Sequence, residues 1–290
     1  MLRYRVVDVF TEVALEGNPL AVFYEGHDLD GTMMQRIARE LNLSETSFIL
    51  SSTRRDCVAR LRIFTPAREL RFAGHPTLGT AYVMREGGIV APDRKAFVLE
   101  EGIGDVPVRI EGAMIWLRTP QIDRIGECDR AASARVLDLR EWDILPKAPP
   151  QVYSAGNPTL FVAVTDRETV DRARVDAPAL SELEEQIGEA IGIFVFTPTE
   201  NGAYSRFFAP ELGVVEDPAT GSATGPLAAY MMAHELCASG DGTSLISEQG
   251  TKMGRRSLLH VRVRGDRGSD GIEVGGNVTP LIEGTLHLPE

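Results

Sequence analysis

The sequence predicts an α+β protein built from two similar halves. Three observations carry this: short strands rich in β-branched and aromatic residues fill most of the chain, two helices are apolar on every side, and three short motifs recur in the same order. At roughly 100–200 residues per domain, a chain of 290 residues makes two domains or one large one. With 43% apolar and 25% charged residues it has the composition of a packed globular protein. The 42 acidic against 30 basic side chains leave a net charge of −12, which repels phosphate backbones and anionic lipid, so neither a nucleic acid nor a membrane is an expected partner. Cys57, Cys128 and Cys237 are odd in number and lack metal spacing, which argues against a disulfide framework and a zinc site. No leader pattern and no run near ~20 apolar residues is present, so a cytoplasmic location is expected.

In the first half, residues 4–10, 20–24, 46–50, 57–64, 97–101 and 114–117 read as strands separated by Gly, Pro or Asp. Residues 29–41 place Met33, Met34, Ile37, Ala38 and Leu41 at spacings of three and four, which predicts a helix with one buried face. Residues 76–85 predict a second helix with no polar face, one that lies inside surrounding strands. Residues 121–147 are polar and mixed, with a helix at 131–137, and Pro149-Pro150 closes them like a linker. The second half then repeats the rhythm: strands at 151–155 and 159–164, an amphipathic helix at 179–191, strands at 193–197 and 204–208, and an apolar helix at 221–236. Strands at 245–248, 257–263, 271–274 and 281–288 complete it.

The repeats turn rhythm into kinship. Gly17-Asn18-Pro19 recurs as Gly156-Asn157-Pro158, offset by 139; Arg62-Ile63-Phe64-Thr65-Pro66 recurs as Arg206-Phe207-Phe208-Ala209-Pro210, offset by 144. His75-Pro76-Thr77-Leu78-Gly79-Thr80-Ala81 aligns with Asp217-Pro218-Ala219-Thr220-Gly221-Ser222-Ala223, offset by 142. Gly-Asn-Pro alone is common turn chemistry, but three ordered matches imply two homologous halves with a ligand cleft between them.

In each third motif an ionisable residue and a Pro precede a Gly and a small hydroxyl residue that open an apolar helix. Pro is tolerated in the first turn, and Gly79 and Gly221 allow close approach to the backbone. Two helix N-termini aimed at one cleft would bind a carboxylate, which implies a small organic acid as substrate. The segment Glu216 to Gly225 is not a P-loop, because no Lys follows its second Gly and no βαβ context surrounds it. Ser222 is either a helix cap or a ligand contact. His75 and Asp217, each one residue before its Pro, are either buried structural groups or a proton relay across the cleft. Glu45, flanked by Leu43, Phe48 and Ile49, is either a solvated loop residue or a carboxyl whose charged form is disfavoured, suited to act as a carbon-acid base. No nucleophile elbow, metal-ligand set or nicotinamide fingerprint occurs, which leaves proton transfer without a cofactor.

These residues resemble the PhzF-like family of the diaminopimelate epimerase superfamily along nearly the whole chain. The likeness runs through Asp8-Val9-Phe10, Glu16-Gly17-Asn18-Pro19, Leu43-Ser44-Glu45-Thr46, Phe72-Ala73-Gly74-His75-Pro76, Glu216-Asp217-Pro218-Ala219-Thr220-Gly221-Ser222-Ala223, Gly225-Pro226-Leu227, Gln249-Gly250, Met253-Gly254-Arg255 and Ser257. The resemblance implies two domains, each a barrel-like mixed sheet wrapped around a central helix, with the site between them and a homodimer as the assembly. It implies boundaries at 1–120, joined by the last strand at about 278–290, and at 121–277. It also implies a cofactor-independent isomerase of a small cyclic amino acid, akin to trans-2,3-dihydro-3-hydroxyanthranilate isomerase. Glu45 would move the proton, with His75 and Asp217 holding polar groups and Ser44, Gly74, Gly221 and Ser222 positioning the substrate. The epimerase branch uses two facing thiols, and none of the three cysteines lies in a repeated loop. An epimerase or racemase with non-thiol bases and a non-catalytic binding protein remain the alternatives.

Overall fold

A computed structural model describes residues 1–189, 191–210, 213–265 and 271–288. In the first half the chain forms β1 (Leu2–Val9), β2 (Asn18–Phe23), α1 (Gly31–Leu41), β3 (Glu45–Leu50), β4 (Ala59–Phe64), β5 (Glu69–Leu70), α2 (Gly74–Glu86), β6 (Ala96–Glu101), β7 (Gly104–Glu111) and β8 (Met114–Arg118). The second comprises β9 (Asp123–Glu127), α3 (Arg130–Val136), β10 (Gln151–Ser154), β11 (Pro158–Ala163), α4 (Arg167–Arg172), α5 (Ala177–Ile187), β12 (Gly192–Thr199), β13 (Gly202–Ala209), β14 (Val214–Asp217), α6 (Gly221–Ala233), β15 (Ser244–Gln249), β16 (Ser257–Val263) and β17 (Ile272–Gly276). The chain then returns as β18 (Val278–Leu286).

The two halves share one pairing scheme. β1 lies antiparallel to β2, β2 parallel to β3 across α1, β4 parallel to β6 across α2, and β6 to β8 form a meander. Likewise β10 lies antiparallel to β11, β11 parallel to β12 across α4 and α5, β13 parallel to β15 across α6, and β15 to β17 form a meander. β18 flanks β1 as β9 flanks β10, and β8 pairs with β17 to join the halves into one mixed sheet.

The two apolar helices occupy the middle of this arrangement. α2 touches β1, β2, β3, β8, β17 and β18, and α6 touches β10, β11, β16 and β17, so each is surrounded by strands on its flanks. That is why neither needs a polar face. By contrast α1 packs Met34, Ile37 and Ala38 on Phe23, Phe48 and Phe64, covering only the outer side of its sheet. Its first turn is capped by Asp30, which accepts from the Met33 N–H, and its end by Asn42 at φ 50°.

Some expectations shift. The helix expected at 76–85 begins at Gly74, and that at 179–191 runs from Ala177 to a left-handed Gly188; residue 190 lies outside the described residues, as do 289–290. β5, β7, β9, α4 and β14 were not anticipated. The Glu216–Gly225 loop does sit in a βαβ context, since β13 and β15 run parallel on either side of α6. Among the described residues no helix is long and apolar enough to cross a membrane.

Candidate active site

The site is built where α2 and α6 meet start to start. A Cβ on Gly74 would stand 2.6–2.8 Å from the backbone of Gly221 and Ser222, so only glycine allows this contact. The middle of the expected cleft is therefore filled by backbone, and a ligand would lie beside this contact. Gly79 plays no such part: a Cβ there would strike the side chains of Leu20, Val9 and Val7, which places it in the core.

This geometry corrects the register of the third repeat. Both helices begin at glycine, and Thr77 and Thr224, each three residues on, turn their hydroxyls back onto the Ala73 and Thr220 carbonyls. The matching offset is thus 147. Asn157 of the second half donates to the Phe72 carbonyl at 3.1 Å and Asn18 of the first to the Ala219 carbonyl at 2.9 Å, again 147 apart. The bidentate pairs Arg62–Glu69 and Arg206–Glu216 follow in part: their glutamates are 147 apart, while their arginines keep the offset of 144. His75 is therefore the counterpart of Ser222, and Asp217 that of Leu70. They meet because opposite halves deliver them to one place, not because symmetry relates them.

Asn18 joins them. Its Nδ2 lies 3.2 Å from His75 Nδ1 and donates to Asp217 Oδ1 at 2.7 Å. With Nδ1 facing a donor, the imidazole carries its hydrogen on Nε2, which stands 3.2 Å from Glu45 Oε2 without the alignment of a hydrogen bond. Asp217 Oδ2 accepts from the Thr220 hydroxyl at 2.6 Å, and the Ser44 side chain adds a further hydrogen bond. Gln249 fixes the same loop through the Asp217 carbonyl, the Thr220 hydroxyl and the Thr220 N–H. Ser44 and Ser222 are half-buried; Gly74 and Gly221 are buried. Thr220, the residue before α6, makes no side-chain cap.

Burial sets the charges. His75 is pushed down to about 3, so the ring is neutral near pH 7. Burial raises the pKa of Asp217 above the ordinary carboxylate value, against the pull of Thr220, Asn18 and Ser44. Glu45 is raised well above the ordinary carboxylate range, first by burial and then by the negative charge of Asp217. Its side chain is 12% exposed and that of His75 3%, so the trio is shielded from bulk water. A surface groove of about 930 Å³ around Arg130, Arg140 and Trp142 contains none of these residues.

Sequence reasoning passed over Asn18, Thr220, Gln249 and the Asp8–Arg255 pair as functional groups. Asn18 had a signal, its place in the repeated Gly-Asn-Pro. Burial raises the thiol pKa values of Cys57, Cys128 and Cys237, the opposite of what a thiol base needs. Among the described residues no group of three or more His, Cys, Asp or Glu is placed to hold a metal ion.

Comparison with known proteins agrees with this architecture. The chain matches the family described as phenazine biosynthesis-like protein over residues 7–284. It is 36% identical to trans-2,3-dihydro-3-hydroxyanthranilate isomerase of Pseudomonas aeruginosa, covering 99% of this chain and 100% of that protein. The crystal structure of a PhzF-family phenazine biosynthesis protein from Bacillus anthracis superposes with a TM-score of 0.86 at 27% identity, covering 99% of each chain. A probable proline racemase from Agrobacterium radiobacter shares the fold alone, with a TM-score of 0.69 at 13% identity over 100% of this chain and 94% of that one. Fold and relatives together define an isomerase of the epimerase-like α+β class. Within that class, the chain belongs to the phenazine biosynthesis-like family.

Proposed function

We propose that this isomerase moves a proton between carbons of a small cyclic amino acid, trans-2,3-dihydro-3-hydroxyanthranilate or a close relative, without a cofactor. The observation that carries the reading is the shielded Glu45 carboxyl beside the His75 Nε2–H and near Asp217, with Asn18 linking His75 to Asp217. A carboxyl with a raised pKa is the stronger base once it has lost its proton, and after exchanging the hydrogen it takes up with solvent it can deliver one at a second carbon. The neutral His75 Nε2–H steadies the carboxylate in the interval. Asp217 suits the substrate's amino or hydroxyl donors. The substrate's carboxylate is favoured at the paired helix starts, where Gly74, Gly221 and Ser222 present backbone N–H groups and two positive dipole ends converge. Ser44, which bonds Asp217, completes the polar wall. In this reading the halves are 1–120 with the last strand at about 278–290, and 121–277, and the working assembly is a homodimer.

The test follows dihydrohydroxyanthranilate by NMR in heavy water. Solvent deuterium should enter the product at the receiving carbon, and Glu45→Gln should lower turnover by about 10²–10⁴-fold. Undiminished turnover by Glu45→Gln would remove the mechanism. Exchange at an α-carbon with loss of optical rotation would instead indicate epimerisation, and tight binding without product a binding protein.

A further inference from the structure

A second buried carboxyl stands behind α2. Glu101 ends β6 at 5% exposure; its Oε1 lies 2.7 Å from Thr77 Oγ1, and its Oε2 has no partner. The same Thr77 oxygen is 2.8 Å from the Ala73 carbonyl. A hydroxyl has one hydrogen, and a carbonyl can only accept. If Thr77 donates to Glu101, its oxygen faces the Ala73 carbonyl lone pair to lone pair and a carboxylate is buried with one oxygen bare. If Thr77 donates to Ala73, Glu101 must supply the hydrogen of the other contact. Only the second arrangement satisfies both short distances. The other half offers a parallel: Gln249 ends β15 as Glu101 ends β6, and its neutral amide braces the start of α6.

We propose that Glu101 is a positioning residue that works as a neutral acid, donating to Thr77, which in turn holds the Ala73 carbonyl and so fixes the start of α2 with Gly74 and His75. The inference rests on the reading of that helix start as part of the active site. Burial raises Glu101 to about 8, against the pull of the Thr77 bond, so the brace loosens as pH rises through that range. The neighbouring charged groups are committed elsewhere. Arg71 bonds the Gly102 carbonyl, Glu100 is held by Ser52, Thr53 and Arg60, Asp105 pairs with Arg54, and His75 faces Asn18 and Glu45.

Three readouts on the full chain test this. Without substrate at neutral pH, the infrared carbonyl band of protonated carboxylic acid should weaken in Glu101→Gln. The His75 ring nitrogen shifts should be unchanged in Glu101→Gln, whose amide restores the donor, and displaced in Glu101→Leu. With dihydrohydroxyanthranilate, Glu101→Gln should keep the native rate near pH 7 and lose the alkaline fall in kcat, whereas Glu101→Leu should lower kcat by about 10- to 100-fold. An unchanged infrared band, native His75 shifts in Glu101→Leu, or an alkaline limb retained by Glu101→Gln would each overturn the proposal. If Glu101→Leu does not fold, Glu101→Gln decides. Lack of turnover by the native protein would remove the substrate reading and leave the two substrate-free readouts to judge Glu101.

Discussion

At the scale of single residues the site depends on one amide. Asn18 is fully buried, and its Nδ2 faces His75 Nδ1, Asp217 Oδ1 and the Ala219 carbonyl. The amide shares its two hydrogens among these three acceptors; Asn18→Ala removes both, and at about 1–3 kcal/mol for a buried group left unsatisfied, denaturant unfolding should show a loss of at least that size. A loss below about 0.5 kcal/mol, the range of neutral surface changes, would show that Asn18 is not the hub. His75 makes a pH prediction. The unfolded chain takes up a proton near the ordinary 6.5 while the folded chain resists to about 3, so stability from this group is intact above pH 6.5 and drains away as pH falls towards 3. The raised Asp217 acts in the opposite direction, losing stability as pH rises from 3.8 towards its raised value. The difference between native protein and His75→Gln isolates the histidine: the variant's stability curve should be flatter on the acid side by about 1.4 kcal/mol per pH unit. Parallel curves would contradict a neutral, buried His75. Glu45, His75 and Asp217 stand out in the sequence as candidates because their flanking motifs are distinctive. Asn18 looked like turn chemistry because its role lies in contacts 57 and 199 residues away, which no local pattern encodes.

At the scale of elements, periodicity revealed whatever had one dominant face. The apolar helices and most core strands were readable, including β16 at its observed limits, Ser257–Val263. β7 was missed although its burial alternates, because its outward positions are Asp105, Pro107, Arg109 and Glu111, and proline argues against a strand. β5 spans two residues and β9 is almost wholly exposed, so neither leaves a hydrophobic signature. The repeat register also misled: matching Pro76 with Pro218 satisfied the letters, while the helix starts align Gly74 with Gly221. That contact yields a ranking. A Cβ on Gly74 would sit 2.6 Å from Gly221 backbone, whereas one on Gly221 would meet Phe10 Cζ at 3.0 Å and Gly74 Cα at 3.1 Å. Gly74→Ala should therefore cost about 1–3 kcal/mol as the helix starts are forced apart, with turnover falling along with stability, and Gly221→Ala should be milder. Equal effects in thermal unfolding and in kcat would mean that the two starts do not abut.

At the scale of the whole molecule, the chain's distant parts are clasped around the site. β18 pairs with β1 along its length, and Arg255 reaches across to Asp8 at 2.7 Å while also donating to the Glu16 and Gly17 carbonyls, beside Asn18. The turn that carries Arg255 is seated on the Asp217 loop, since a Cβ on Gly250 would lie 2.6 Å from the Pro218 carbonyl. One guanidinium thus couples the Gly17-Asn18 corner of the first half to the Asp217 loop of the second. The two partners differ in burial: Asp8 is fully enclosed, whereas the Arg255 side chain is 26% exposed. Removing them should therefore have unequal consequences. Arg255→Leu strands a carboxylate in the interior and should cost about 3–5 kcal/mol, whereas Asp8→Asn leaves an arginine that can turn to water and still bond the carbonyls, and should cost less. Combining the two should recover part of the Arg255→Leu loss, because the stranded charge is gone. Urea unfolding of the four proteins measures this cycle, and kcat on the same set reports whether Asn18 keeps its place. Additive losses, or a smaller cost for Arg255→Leu than for Asp8→Asn, would mean that the halves are held by their sheet pairing alone and that the clasp has no part in shaping the site.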